Sequence, residues 1–265
     1  MNSFINWIGG KMQLRETILK AFPTETPSHY IEVFGGAGWL LFSRDRHAPV
    51  EVFNDRDGDL INLYRCVQHH PEELQREMRL GGEQIPPLSR ELFATCLAQL
   101  AMPGLTDIQR AARYYYVIRA SFGAKRTTVS TMPKPALRHN IDRLPEIQRR
   151  LQDVVIDNRD FEPVINCYNK PGALFYLDPP YFKTEGYYEG FSREDHLRLC
   201  RSLKGIKGKF ILSYNDAPEI RQLYDWCHVE GVRRANNLSY GPNATSVYRE
   251  LLITNYAPPM PNGIR

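Results

Sequence analysis

A chain of 265 residues, 42% hydrophobic and 24% charged, is long enough to bury a full core as one large domain or as a core with a smaller insert. Its net charge of +4 names no partner, and its five cysteines (Cys66, Cys96, Cys167, Cys200 and Cys227) are scattered without a Cys-x-x-Cys spacing. With no basic N-terminal region leading into an apolar run and no stretch of about 18 apolar residues, the composition argues against a disulfide framework, a zinc site and a membrane span, and predicts a reduced, cytoplasmic protein.

In chain order, residues 11–22 space Leu14, Ile18, Ala21 and Phe22 as a helix does, and Pro23 ends the pattern. Residues 30–34 read as a strand, followed by a glycine cluster and a helix over 39–46. A second strand is expected over 50–53, then a helix from Asp57 whose face carries Leu60, Ile61, Tyr64 and Val67. The alternation resumes after residue 153, with strands at 154–156, 173–177, 209–213 and 247–254 and helices at 161–168, 193–203 and 218–226. Strands alternating with helices predict an α/β fold, a mostly parallel sheet with helices on both faces, whose ligands bind at the carboxyl ends of the strands.

Residues from about 70 to 150 break this alternation and read as mainly helical, punctuated by Pro86-Pro87, Pro103-Gly104 and Pro133-Lys134-Pro135. Between Arg110 and Arg150, ten Lys or Arg face two acids, Asp142 and Glu146, a local charge of +8 that leaves −4 for the rest of the +4 chain. A solvated helical face is one reading of such a run, and a polyanion partner is the other.

Four short constellations fall where a ligand would bind. Phe34-Gly35-Gly36-Ala37-Gly38 follows a strand and permits a tight turn and close backbone approach, although Leu41 stands where the dinucleotide fingerprint has its third glycine. Asp55 ends the next strand about 20 residues on, where a carboxylate accepts both hydrogen bonds of a ribose diol; capping of the next helix is the alternative, with Asp57 the better cap. Trp7-Ile8-Gly9-Gly10-Lys11 reads as a loop with Trp7 packed on the core, or as a loop that brings Lys11 to a carboxylate near the glycine turn. Asp160-Phe161 and Asp178-Pro179-Pro180-Tyr181 each present a carboxylate and a ring at a strand end, suited to planar ligands.

Methyl transfer to the exocyclic amine of adenine makes use of the last of these. That nitrogen is a poor nucleophile because its lone pair is delocalised into the ring. Accepting its two hydrogens, one on the Asp178 carboxylate and one on the Pro179 carbonyl, directs the lone pair at the methyl group. Pro179 and Pro180 fix the backbone that presents the carbonyl, and the Tyr181 ring stacks on the base and faces a sulfonium. No metal is called for. A base within a duplex meets this geometry only when flipped out of the stack.

The order of these motifs resembles the Dam family of DNA adenine methyltransferases (D12 class, alpha-group motif order), which use S-adenosylmethionine. The likeness also takes in residues 54–64, Ser213-Tyr214-Asn215-Asp216 and residues 250–256, so it runs from residue 7 to 256. It implies a Rossmann-like methyltransferase sheet formed by residues 1–66 and 153–265, and a smaller, mainly helical target-recognition domain inserted at 67–152. By this resemblance Trp7, Gly10, Lys11, Asp55 and Asp178 contact the cofactor, with Glu32, Phe34, Gly35, Gly36, Ala37 and Gly38 around its methionine part and Asp160 and Phe161 beside its adenine. Asp178, Pro179, Pro180 and Tyr181 are the catalytic tetrapeptide.

Double-stranded DNA is the implied partner, contacted by Arg119, Phe122, Lys125, Arg126, Lys134 and Arg138, with Phe122 as the wedge that fills the gap left by a flipped base. Amino methylation of RNA or of a protein amide, and a catalytically silent DNA-binding relative, are the alternatives. Asn6 and Gly123-Ala124 stand where GATC-specific members carry Lys and Asn-Gly, so GATC specificity does not follow. Residues 182–192 read either as a loop closing over the target or as an ordinary exposed connection. The oligomeric state, a monomer included, and membership of a restriction-modification pair are left open.

Overall fold

Ala173–Leu177 is an uninterrupted apolar and aromatic run, and it forms β4 with all five residues buried, the signature of a strand covered on both faces. The computed structural model describes residues 1–7, 9–79, 86–121, 126–130, 141–183, 191–235 and 247–259. Beside β4 lies β1 (His29–Glu32), parallel to it and to β2 (Val50–Asn54). β5 (Lys209–Asn215) is parallel to β4 on its other side. With β3 (Val154–Asp157), β6 (His228–Ala235) and β7 (Val247–Thr254), the seven strands take the order β3-β2-β1-β4-β5-β7-β6.

The chain runs outward from β1 to β2 and β3, then resumes on the other side with β4 and β5. Strand order therefore reverses between β1 and β4, and the crevice at their carboxyl ends is the place for a ligand. Val33 N donates to Tyr176 O at 3.0 Å, keeping the two strand exits side by side.

The sheet is mostly parallel, as expected, with β7 antiparallel to both of its neighbours. Two points differ from the sequence reading. β6 was not foreseen: Glu230, Gly231 and Arg233 break its apolar pattern, and as the outermost strand it has little need of one. The helix expected over 39–46 is only a 3-10 turn, Leu41–Ser43. Positive φ at Gly36 and Gly38 curls the chain into this segment, and Leu40, Leu41 and Phe42 are buried in succession, which leaves no polar face for an amphipathic helix.

By packing, the chain divides into two compact units, Met1–Gly10, Gly36–Asp45 and Asp55–Asn158 in one, and Lys11–Gly35, Arg46–Asn54 and Arg159–Arg265 in the other. The second has α1 (Arg15–Lys20), α7 (Phe161–Tyr168), α8 (Arg193–Lys204) and α9 (Pro218–Leu223); Val164, Ile165, Leu199 and Leu203 from its helices pack with Ile31, Phe175, Leu212 and Leu251 of its strands. The first is mainly helical, with α2 (Gly58–His69), α3 (Pro71–Glu77), α4 (Arg90–Leu100), α5 (Asp107–Ala120) and α6 (Leu144–Leu151). α5 opens on a Thr106/Gln109 capping box and packs Tyr116, Val117 and Ala120 against Phe93 and Cys96 of α4.

The charge contrast seen in sequence shrinks in this packing. Over the whole first unit 16 Lys or Arg face 14 Asp or Glu, a net +2. The cause is visible in the ion pairs: Arg110 meets Asp59, Arg113 meets Glu77 and Arg126 meets Asp57, acids that lie outside the basic window. Arg150, 7% exposed, donates to the carbonyls of Leu41 and Arg44 and is structural.

Candidate active site

In the second unit the exit of β4 carries Asp178, and Lys11 Nζ lies 2.7 Å from each of its carboxylate oxygens. Lys11 is 3% exposed, so this is a buried pair, and the carboxylate it meets belongs to the tetrapeptide. A second carboxylate, Glu250 on β7, brings Oε2 to 3.9 Å from the same ammonium. Tyr181 donates its hydroxyl to that oxygen at 2.5 Å, and its ring lies 4.9 Å below Lys11 Nζ. Desolvation first, then the charges of Asp178 and Glu250, push the Tyr181 hydroxyl well above its usual range, so it stays a protonated donor. Pro179 is buried and Pro180 half-buried.

The neighbouring exits are tied together by Asn54, which is fully buried at the end of β2. Its amide donates to Val33 O (2.9 Å) and Arg159 O (3.1 Å) and accepts from Arg159 N (2.9 Å), while Gly35 N donates to Asn54 O (2.8 Å). Glu32 is buried at the end of β1. Gly35 has no room for a side chain: an added Cβ would sit 2.4 Å from the Phe53 ring. Phe34 packs on Phe161 (5.7 Å between centroids) and on Phe191 (5.9 Å). Asp160 caps α7 by accepting from Glu162 N, and its other oxygen accepts from Arg198, whose guanidinium covers the Phe161 ring at 4.3 Å.

In the first unit the remainder of the glycine turn meets Asp55. Gly36 N donates to Asp55 Oδ2 at 2.8 Å, and Asp57 N to Oδ1 at 2.9 Å. Desolvation outweighs these donors and raises the Asp55 carboxyl to about 6. Asp57, not Asp55, caps α2, accepting from Asp59 N and Leu60 N. A Cβ on Gly36 would meet the Trp7 indole at 2.8 Å, and one on Gly10 would meet Trp39 Nε1 at 2.8 Å. Ala37 is buried, and Gly38 sits at φ +65° against Phe42 and Tyr64. Trp7 is half-buried between Gly36 and Arg126, whose guanidinium lies 5.8 Å from its ring.

Arg126 has φ +60° and donates to Asp57 Oδ2 at 2.6 Å, an oxygen that also accepts from Tyr114 at 2.8 Å. Arg119, expected at DNA, is instead 4% exposed and donates to Asn6 Oδ1 at 3.0 Å, because it sits on the packed face of α5. Phe122, Lys125, Lys134 and Arg138 lie outside the described residues, as do residues 184–190 of the expected target loop. Asn54, Asn215 and Glu250 were not picked out as site residues from the sequence. The signal was there in part, since all three are polar residues at the ends or within otherwise apolar strand runs.

Among the described residues no group of three His, Cys, Asp or Glu is placed to hold a metal ion, and no helix is long and apolar enough to cross a membrane. A family model described as D12 class N6 adenine-specific DNA methyltransferase matches residues 7–236. Type II methyltransferase M1.LlaDCHI of Lactococcus lactis subsp. cremoris is 28% identical, over 97% of this chain and 96% of its own. Type II methyltransferase M.CviBI of Paramecium bursaria Chlorella virus NC1A is 24% identical (87% and 89% covered), and a DNA adenine methylase of Haemophilus influenzae is 22% identical (94% and 92%).

Proposed function

The chain belongs to the D12 class of N6 adenine-specific DNA methyltransferases, and from that premise we propose that it moves the methyl group of S-adenosylmethionine to a flipped adenine received by Asp178-Pro179-Pro180-Tyr181. The observation that carries the reading is the fixed arrangement of Lys11, Asp178, Tyr181 and Glu250 at the strand exit beside the topological switch point.

The residues present suit the cofactor. Asp55 is a desolvated carboxylate with its pKa raised to about 6, a group that gains from two hydroxyl donors such as a ribose diol. At Gly35 and Gly36 a Cβ would collide with Phe53 or Trp7, so the turn beside the strand exit carries no side chain at either position. We assign Trp7, Gly10, Lys11, Glu32, Phe34 to Gly38, Asp55, Asp160, Phe161 and Asp178 to its binding; once bound, it supplies an electrophilic methyl carbon.

Each chain residue then has a stated task. The Asp178 carboxylate accepts one amino hydrogen of the adenine and the Pro179 carbonyl the other, which localises the nitrogen lone pair and aims it. A carboxylate has about four acceptor positions, so pairing with Lys11 leaves room for the amino group. As the N–C bond forms and the S–C bond of the donor breaks, the Asp178 carboxylate would be the acceptor for the amino proton that must leave. Tyr181 stacks on the base and stays uncharged. Orientation carries much of the rate. Residues 67–152 form the target-recognition domain, with Arg126 the described residue best placed to trade its partner Asp57 for a DNA phosphate, and Arg119 supporting Asn6 from beneath.

Incubating genomic DNA with the protein and S-adenosylmethionine, followed by modification-sensitive sequencing, tests the reading. N6-methyladenine at one recurring sequence is expected. No new mark, or marks on cytosine alone, would overturn it.

A further inference from the structure

We propose that Glu250 and Asn215, a cross-strand pair on β7 and β5, are positioning residues that grip the catalytic tetrapeptide from its far side. The two face each other in the β5–β7 register. Glu250 Oε2 takes the Tyr181 hydroxyl at 2.5 Å. Asn215 holds the very next residue by a reciprocal pair of bonds: Phe182 N donates to Asn215 Oδ1 at 3.0 Å, and Asn215 Nδ2 donates to Phe182 O at 3.1 Å. One member of the pair thus fixes the outer end of the Tyr181 ring and the other fixes the backbone from which that ring is followed.

Two features mark this as more than strand packing. Glu250 is 1% exposed and precedes Leu251, Leu252 and Ile253, a run in which an apolar residue would bury at far lower cost than a carboxylate. Its oxygen also lies 3.9 Å from Lys11, so the same carboxylate borders both the ring and the ammonium that holds Asp178. Ring, ammonium and nucleophile-orienting carboxylate are therefore set against one rigid strand, which is how a site is kept within the narrow tolerance that transfer geometry requires. Neither Glu250 nor Asn215 is assigned a contact with a reacting atom.

The inference rests on the proposed role of Tyr181 in receiving adenine. Its test uses the full-length chain, S-adenosylmethionine and a duplex containing the methylated site, with the wild type, Glu250→Ala, Glu250→Gln, Asn215→Ala, Tyr181→Phe and the double variant Glu250→Ala/Tyr181→Phe. Each is measured for kcat, for KM toward DNA, for cofactor dissociation constant by calorimetry and for thermal midpoint. Glu250→Ala, Asn215→Ala and Tyr181→Phe should each lower kcat by about 10- to 100-fold, the range expected of a misplaced site, while KM and cofactor affinity change by less than about threefold.

Because Glu250 acts through the hydroxyl, the double variant should be no slower than the slower single, and Glu250→Gln, whose amide oxygen still accepts, should recover most of the rate. Losses that multiply in the double variant, an unchanged kcat in Glu250→Ala, or a loss confined to cofactor affinity would overturn the inference. Should Glu250→Ala fail to fold, Asn215→Ala decides alone, and wild-type kcat there overturns it. A wild type inactive on adenine in DNA refutes the proposed function itself, before any variant is compared.

Discussion

Lys11 Nζ stands 2.7 Å from both oxygens of Asp178, a residue 167 positions further along the chain, and 3.9 Å from Glu250. One buried ammonium therefore serves two carboxylates. Removing Asp178 does not strand Lys11, because Glu250 remains. Asp178→Ala should abolish methyl transfer yet lose less stability than the roughly 3–5 kcal/mol typical of a broken buried pair, whereas Lys11→Met should lose at least that much, since it takes the shared ammonium from two carboxylates at once. Denaturant unfolding alongside a methylation assay checks both halves. Substantial turnover by Asp178→Ala would remove the carboxylate from the mechanism.

Asp55 gives the site a pH dependence. Its carboxyl is raised to about 6, mainly by desolvation, so the ligand-free protein holds a proton there in mildly acidic solution. Two hydroxyl donors favour the ionised form. Cofactor binding should therefore release a proton near pH 6, and affinity should rise with pH through about 6 and level off above it, at most tenfold per unit. For the protein alone the sign is the opposite: the folded pKa lies above the unfolded value of 3.8, so this group costs stability as pH rises from about 4 to 6. Calorimetry between pH 5 and 8 checks the first statement, with Asp55→Asn expected to be weak and flat. A flat wild-type profile would take Asp55 out of cofactor binding.

Asp57 and Arg126 offer a way to separate folding from DNA binding. The pair is close, at 2.6 Å, but the arginine side chain is 42% exposed, so breaking it should cost at most about 1 kcal/mol. Asp57→Asn keeps a competent helix cap and removes the guanidinium's charged partner, leaving it the Tyr114 hydroxyl at 3.1 Å, and should bind DNA at least as tightly as the wild type. Arg126→Ala should bind less tightly and show a salt slope smaller by about one. Titrations at several salt concentrations decide; identical slopes would place the phosphate contacts elsewhere.

Much of the strand-end geometry was legible because it is local in sequence. Asp178-Pro179-Pro180-Tyr181, the glycine turn and Asp55 each announce a strand end, and the capping role of Asp57 followed from its place one residue before α2. What escaped was decided by distant partners. Nothing within a few residues of Glu250 or Asn54 shows that one would meet Tyr181 and the other Val33 and Arg159. The basic window overstated the local charge for the same reason: the acids that pair with Arg110, Arg113 and Arg126 are 36 to 69 residues away. β6 was missed because an edge strand has little apolar pattern to read.

Gly35 is the sharpest steric prediction. Its backbone cannot retreat from Phe53, because Gly35 N is bonded to Asn54 O at 2.8 Å and the strand on either side is buried. A methyl group there would lie 2.4 Å from the ring, and Phe53 itself is 0% exposed. Gly35→Ala should therefore cost about 1–3 kcal/mol, as overpacked cores do. If the ring is the obstacle, Phe53→Leu made in the same chain should relieve it, and the double variant should be more stable than the sum of the two single losses predicts. Urea unfolding of the four proteins closes the cycle. Strict additivity would mean that the collision is relieved by a backbone shift and that the need for glycine lies in ligand approach alone.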